Sequence, residues 1–151
     1  MRVWLSMLAL ALAGASPAVA CTAEDFGKAV DEAGARLRAY NQEAAPGLRA
    51  KVRQLGVKNG WKETEVEDRA QEHLSDEKLS RFDATANELL DKIDSLGRVG
   101  DKTAPDCAKL DELKAAGLEL LAVMKAKTAH SIARIDAELG PADKQTEKPV
   151  E

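Results

Sequence analysis

The sequence predicts an all-α fold, an elongated up-down-up bundle of three long helices over about 23–56, 64–96 and 106–139. Three observations predict it. No stretch alternates apolar and polar residues with the period of two that a half-buried strand requires. Three capping signals, Thr22 with Asp25, Thr64 with Glu67 and Thr103 with Asp106, each open a run of apolar residues recurring at spacings of three and four. The runs are nearly equal in length and joined by short turns, which favours antiparallel neighbours.

In the first run Phe26, Val30, Ala33, Leu37 and Tyr40 follow the Thr22 cap, and the stripe continues through Ala44, Leu48, Val52 and Leu55. Pro46 lies inside it and removes one backbone donor, so a kink or short break is expected there. Gly56 to Gly60 reads as the turn. In the second run Val66, Ala70 and Leu74 are followed by Ser75-Asp76-Glu77, which looks like a fresh helix start with Ser75 as cap. The stripe then resumes out of phase at Leu79, Phe82, Ala86, Leu89, Leu90, Ile93 and Leu96, so a break near Ser75 is expected. Complete breaks at both points would raise the count to four or five helices without changing the layout. Gly97 and Gly100 close the second rod.

The third run carries Cys107, Leu110, Leu113, Leu120, Leu121, Met124, Ile132, Ile135 and Leu139, with Ala116, Gly117 and Thr128 on the same stripe, and Gly140-Pro141 ends it. At about 1.5 Å rise per residue, a helix over 106–139 is a rod of roughly 50 Å that needs partners of similar length. It alone lacks an internal breaker, which makes it the expected spine of the bundle.

The first twenty residues read as a signal peptide: Arg2, an apolar run from Val3 to Ala13, and the small-x-small site Ala18-Val19-Ala20. The expected organisation is a leader over 1–20, one helical domain over 21–140 and a disordered, Pro-containing charged tail over 141–151. The apolar run is too short to span a bilayer and no other long one follows, so no transmembrane segment is expected after cleavage. Export, most simply to a bacterial periplasm, is the expected localisation.

The chain has 22 Lys and Arg against 26 Asp and Glu, a formal charge of -4, which argues against general nucleic-acid binding. After the leader only Phe26, Tyr40, Trp61 and Phe82 are aromatic, and the Ala, Leu, Glu, Lys and Asp background is that of bundles and coiled coils.

In an up-down-up layout the starts of the first and third rods lie at one end, so Cys21 and Cys107 are expected to meet in a disulfide. The rival reading is lipidation, since Ala18-Val19-Ala20-Cys21 resembles a lipobox with Ala18 in place of the usual Leu. Lipidation would anchor the protein through Cys21.

Two histidines, His73 and His130, are the weak candidates for a metal, haem or small-molecule site inside the bundle, since counting back from the helix ends places them level. No Cys-x-x-Cys-His occurs and neither has a Glu at i-3, so no metal or cofactor is expected. Serines lie in no nucleophile elbow and no glycine-rich phosphate loop exists, so catalysis is not expected.

One stretch, Gly47 to Lys62, is basic without an acid: Arg49, Lys51, Arg53, Lys58 and Lys62, with Trp61 at the turn. It is a candidate interaction tip for an anionic surface or acidic partner. The competing reading has Trp61 and Val57 closing the bundle end while the cations face Glu63, Glu65, Glu67 and Asp68. The functional expectation is a non-enzymatic exported bundle that acts through a protein or envelope partner, with a client-binding chaperone as a variant; an interior metal, haem or small-molecule binder is the alternative.

Overall fold

In a computed structural model, which describes residues 21–98 and 105–140, the protein forms α1 (Ala23–Asn59), a short 3-10 turn (Glu63–Glu65), α2 (Val66–Leu74), α3 (Glu77–Gly97) and α4 (Cys107–Leu139). The expected leader 1–20, the Thr103 cap and the expected tail 141–151 fall outside the described residues.

The expected all-α bundle is present, with four α-helices and no strand among the described residues. Contacts of α1 with α4 keep a nearly constant offset, Cys21 to Cys107, Ala33 to Gly117 and Lys51 to Asp136, so these two rods run parallel. Asp76 meets Arg134 and Asp83 meets Lys127, so α3 runs antiparallel to α4. The layout is up-down-up with α4 as the shared spine.

Thr22 forms a reciprocal capping box with Asp25, as expected. Beyond it α1 is one continuous helix: Pro46 lies within it, exposed, so its ring faces solvent and water can serve the carbonyl that lost its donor. The helix ends on Gly60, at φ 68° and ψ 27°, where only glycine is unstrained. Trp61 N–H donates to the Gly56 carbonyl and Gly60 N–H to that of Val57, a Schellman closure that folds Trp61 back onto the helix.

Three starts differ from the sequence reading. Thr64 is not a cap: the chain enters a 3-10 turn first, because Val66 must pack on Gly56, where an added Cβ would sit 2.7 Å from the Val66 methyl. The break between the second pair of helices is complete, but Asp76, not Ser75, is the cap, accepting from Leu79 N–H. A carboxylate serves more partners than a hydroxyl can, and Asp76 serves three. Asp106 is itself the cap of α4, so that helix opens at Cys107.

The core is in two parts. At the cysteine end Phe26, Ala29, Leu89, Ile93, Leu96, Leu110, Leu113 and Leu120 are buried together from three helices. At the turn end Leu55, Ala70, Leu74 and Ile135 are buried, with Leu48, Val52, Trp61 and Leu79 against them. Between the two, α1 has no fully buried residue from Gly34 to Gln54, nor α4 from Leu121 to Arg134.

The helices α1 and α4 approach closely at Gly117, where an added Cβ would lie 2.8 Å from the Ala33 Cβ. Ala normally gains about 1 kcal/mol over Gly in a helix interior, but here it must force two rods apart. Gly117→Ala is expected to destabilise by about 1–3 kcal/mol, and Ala33→Gly in the same chain to restore part of the loss. Urea unfolding of the two variants measures this, and a stabilised Gly117→Ala would contradict it.

Candidate functional site

Cys21 and Cys107 are at disulfide-bonding distance with Cα atoms 5.5 Å apart, tying the start of α1 to the start of α4. Cys21 also packs against the cysteine-end core.

The two histidines are not brought together. His73 Nε2 is 2.5 Å from a Glu138 carboxylate oxygen, edge-on to Trp61 with centroids 5.6 Å apart. His130 Nε2 lies 2.8 Å from Asp76 Oδ2. Their α4 anchor points, 138 and 130, are about 12 Å apart along the helix. Counting residues placed them level, but the break before α3 leaves α2 in a different register from α3. Among the described residues no group of three or more His, Cys, Asp or Glu is placed to hold a metal ion.

His130 belongs instead to a junction built on Asp76. Asp76 Oδ2 accepts from His130 Nε2 and from Arg134 Nη1 at 2.9 Å, while Oδ1 accepts from Leu79 N–H at 2.7 Å. The same Arg134 nitrogen donates to the Leu74 carbonyl, which α2 leaves unbonded where it stops. The hydrogen bond from Leu79, then that from His130, lowers the Asp76 pKa to about 2 from 3.8. Thr22 likewise lowers that of Asp25 through its backbone and hydroxyl.

Since both folded-state values lie below the ordinary one, the ionised groups support the fold fully above about pH 4 and that support is lost as pH falls further, for Asp76 as it falls toward about 2. Asp76→Asn is therefore expected to flatten the loss of urea stability between these limits, and an unchanged acid slope would contradict it.

The basic tip is partly consumed by the fold. Lys51 pairs with Asp136, Lys62 with Glu65 at 3.7 Å, and Lys58 donates to the Glu138 and Leu139 carbonyls at the end of α4. Trp61 is turned inward on the turn-end core, whereas Val57, expected to help close that end, is 83% exposed. Arg49 and Arg53 make no ion pair among the described residues and line one wall of an open groove of about 950 Å³. Glu63, Glu67 and Asp68 stand on another wall, also without an ion pair among those residues, and Leu48, Val52, Leu74 and Leu79 supply apolar lining.

A second surface went unread in the sequence. Ala115, Leu118, Ala122, Ala126, Ala129, Ala133 and Ala137 all face solvent on the side of α4 opposite its core stripe. Lys125 is the one charged residue exposed between Leu121 and Ile135, and it lies over the Tyr40 ring. The signal was present, because these residues recur at three and four; alanine reads as filler unless exposure is known. Among the described residues no helix is long and apolar enough to cross a membrane.

Compared with known proteins, the chain matches no family model, no curated protein and no solved structure.

Proposed function

We propose that this is an exported, non-enzymatic helical-bundle protein of the periplasm that works by presenting helix surfaces to a protein or cell-envelope partner. The observation that carries the reading is the outward side of α4. In a chain whose residues are 32% charged, a solvent-facing helix side should collect charges, and this one exposes Lys125 alone over about 20 Å between Leu121 and Ile135, with Leu118 one turn before it 53% exposed. Apolar surface of that extent marks contact sites more often than idle surface. Pairing of Cys21 with Cys107 suits an oxidising compartment.

Photo-crosslinking in the host cell tests the reading. A benzophenone side chain at Leu118 is expected to give discrete adducts with another protein or with envelope lipid, and one at the exposed Arg36 on α1 is not. Adducts of equal yield at both positions, or at neither, would sink the proposal.

A further inference from the structure

In the groove beside α1, charges of both signs that are unpaired among the described residues stand on opposite walls over apolar side chains. Arg49 and Arg53 stand one turn apart on α1, both exposed. Glu67 and Asp68 line the α2 side and are exposed as well. None of the four is ion-paired among the described residues, although lysines of the same tip have found carboxylates or carbonyls. Two walls of opposite sign attract each other, so a groove that stays open over an apolar lining is shaped for something between them.

From this we infer that the groove docks an amphipathic helix of a partner protein, acidic along the flank that meets Arg49 and Arg53 and basic along the flank that meets Glu67 and Asp68. Charge complementarity specifies the occupant. Its apolar positions, at three and four, settle on Val52, Leu74 and Leu79. A helix fits better than a small ligand: about 950 Å³ is near the upper end for sites that enclose small molecules, but this one is open to solvent. Residues 141–151 of the chain itself are unsuited, since apart from two prolines only Ala142 and Val150 are apolar.

The inference rests on the surface-presentation reading and names a class of partner for it. Because the two flanks differ in sign, they also fix the direction in which the helix lies, since turning it end for end exchanges its flanks.

Fluorescence anisotropy with two labelled synthetic helices of about 15 residues tests it on the oxidised chain from Cys21 onward. Both carry the same leucine face. One has a Glu flank and a Lys flank; the other has Lys on both. The native protein is expected to prefer the mixed-flank peptide by about tenfold. Arg49→Glu with Arg53→Glu makes both walls acidic, so the preference should invert toward the all-Lys peptide, while unchanged circular dichroism shows that the fold survives.

No binding by the native protein, or a preference untouched by the charge reversal, would overturn the inference. So would binding that appears only after residues 141–151 are removed, which would make the tail the occupant, or a dimer that the double substitution dissolves. Crosslinking at Leu118 on α4 reports on a different face. If the peptides fail and those adducts persist, the groove assignment falls and the broader reading stands.

Discussion

Replacing Phe26 with alanine is expected to destabilise the protein by about 3–5 kcal/mol, one of the two largest effects available in this fold. Phe26 is fully buried, and it lies in the cluster where α1, α3 and α4 converge, with Leu89, Ile93, Leu110 and Leu113. The loss combines the transfer of an aromatic ring with a cavity that three stiff rods cannot collapse to fill. A domain of this size has about 5–15 kcal/mol in all, so a large part of its stability depends on one ring. Urea unfolding followed by circular dichroism gives the number. The matched control is Val57→Ala at a site that is 83% exposed, where a change within about 0.5 kcal/mol is expected. A Phe26→Ala loss below about 1 kcal/mol would mean that the cysteine-end core is not organised as described.

Removing the disulfide should be comparable. Cys21 and Cys107 close a loop with a sequence separation of 86, for which loop-closure entropy gives about 4.6 kcal/mol at 25 °C before any strain in the native state is subtracted. The expected result is a fall of about 2–4 kcal/mol for Cys21→Ser with Cys107→Ser, with the same midpoint reached by reducing the native protein. Reduction that leaves the midpoint of the native protein unchanged would show that the bond does not form. The two largest effects are also coupled. Cys21 packs on the cluster that holds Phe26, so losing both should cost less than the sum of the separate losses, because either change already loosens the start of α1.

Much of the architecture was legible because it depends on local chemistry. Thr22 and Asp25 stand at the spacing a capping box needs, and no distant residue is required for it to form. The stripe that includes Leu110, Leu113, Gly117 and Leu120 has the period of a helix that buries one side, and those residues are buried. The meeting of Cys21 with Cys107 followed from an even number of crossings between two helix starts. The boundaries were less legible, since competing caps lie within a residue or two of each other. Ser75 and Asp76 can both start a helix, and the choice fell to Asp76 because Arg134 and His130 wait for a carboxylate from α4. Thr64 lost its role to the pull of Val66 onto Gly56.

The candidate surfaces were less legible still. All six residues of the basic tip were named from composition, yet only Arg49 and Arg53 line the groove. Lys51 and Lys58 are drawn to the end of α4, and nothing in their own neighbourhood in the sequence announces that Asp136 and the Glu138 carbonyl will be beside them. The alanines of α4 carried a periodic signal, but a small apolar side chain is equally at home against a neighbouring helix or in water.

By itself, then, the sequence determined the helices, their order and the two ends of the cysteine link, since periodicity, caps and glycine closures act within a few residues. Only the tertiary structure decided which charges are spent on neighbours, where a groove stays open beside the turn-end core, and which side of α4 faces water. The contacts of Leu74 with Arg134, Lys51 with Asp136 and Cys21 with Cys107 join residues 60 to 86 positions apart, and the register of one rod against another is set by packing summed over its whole length.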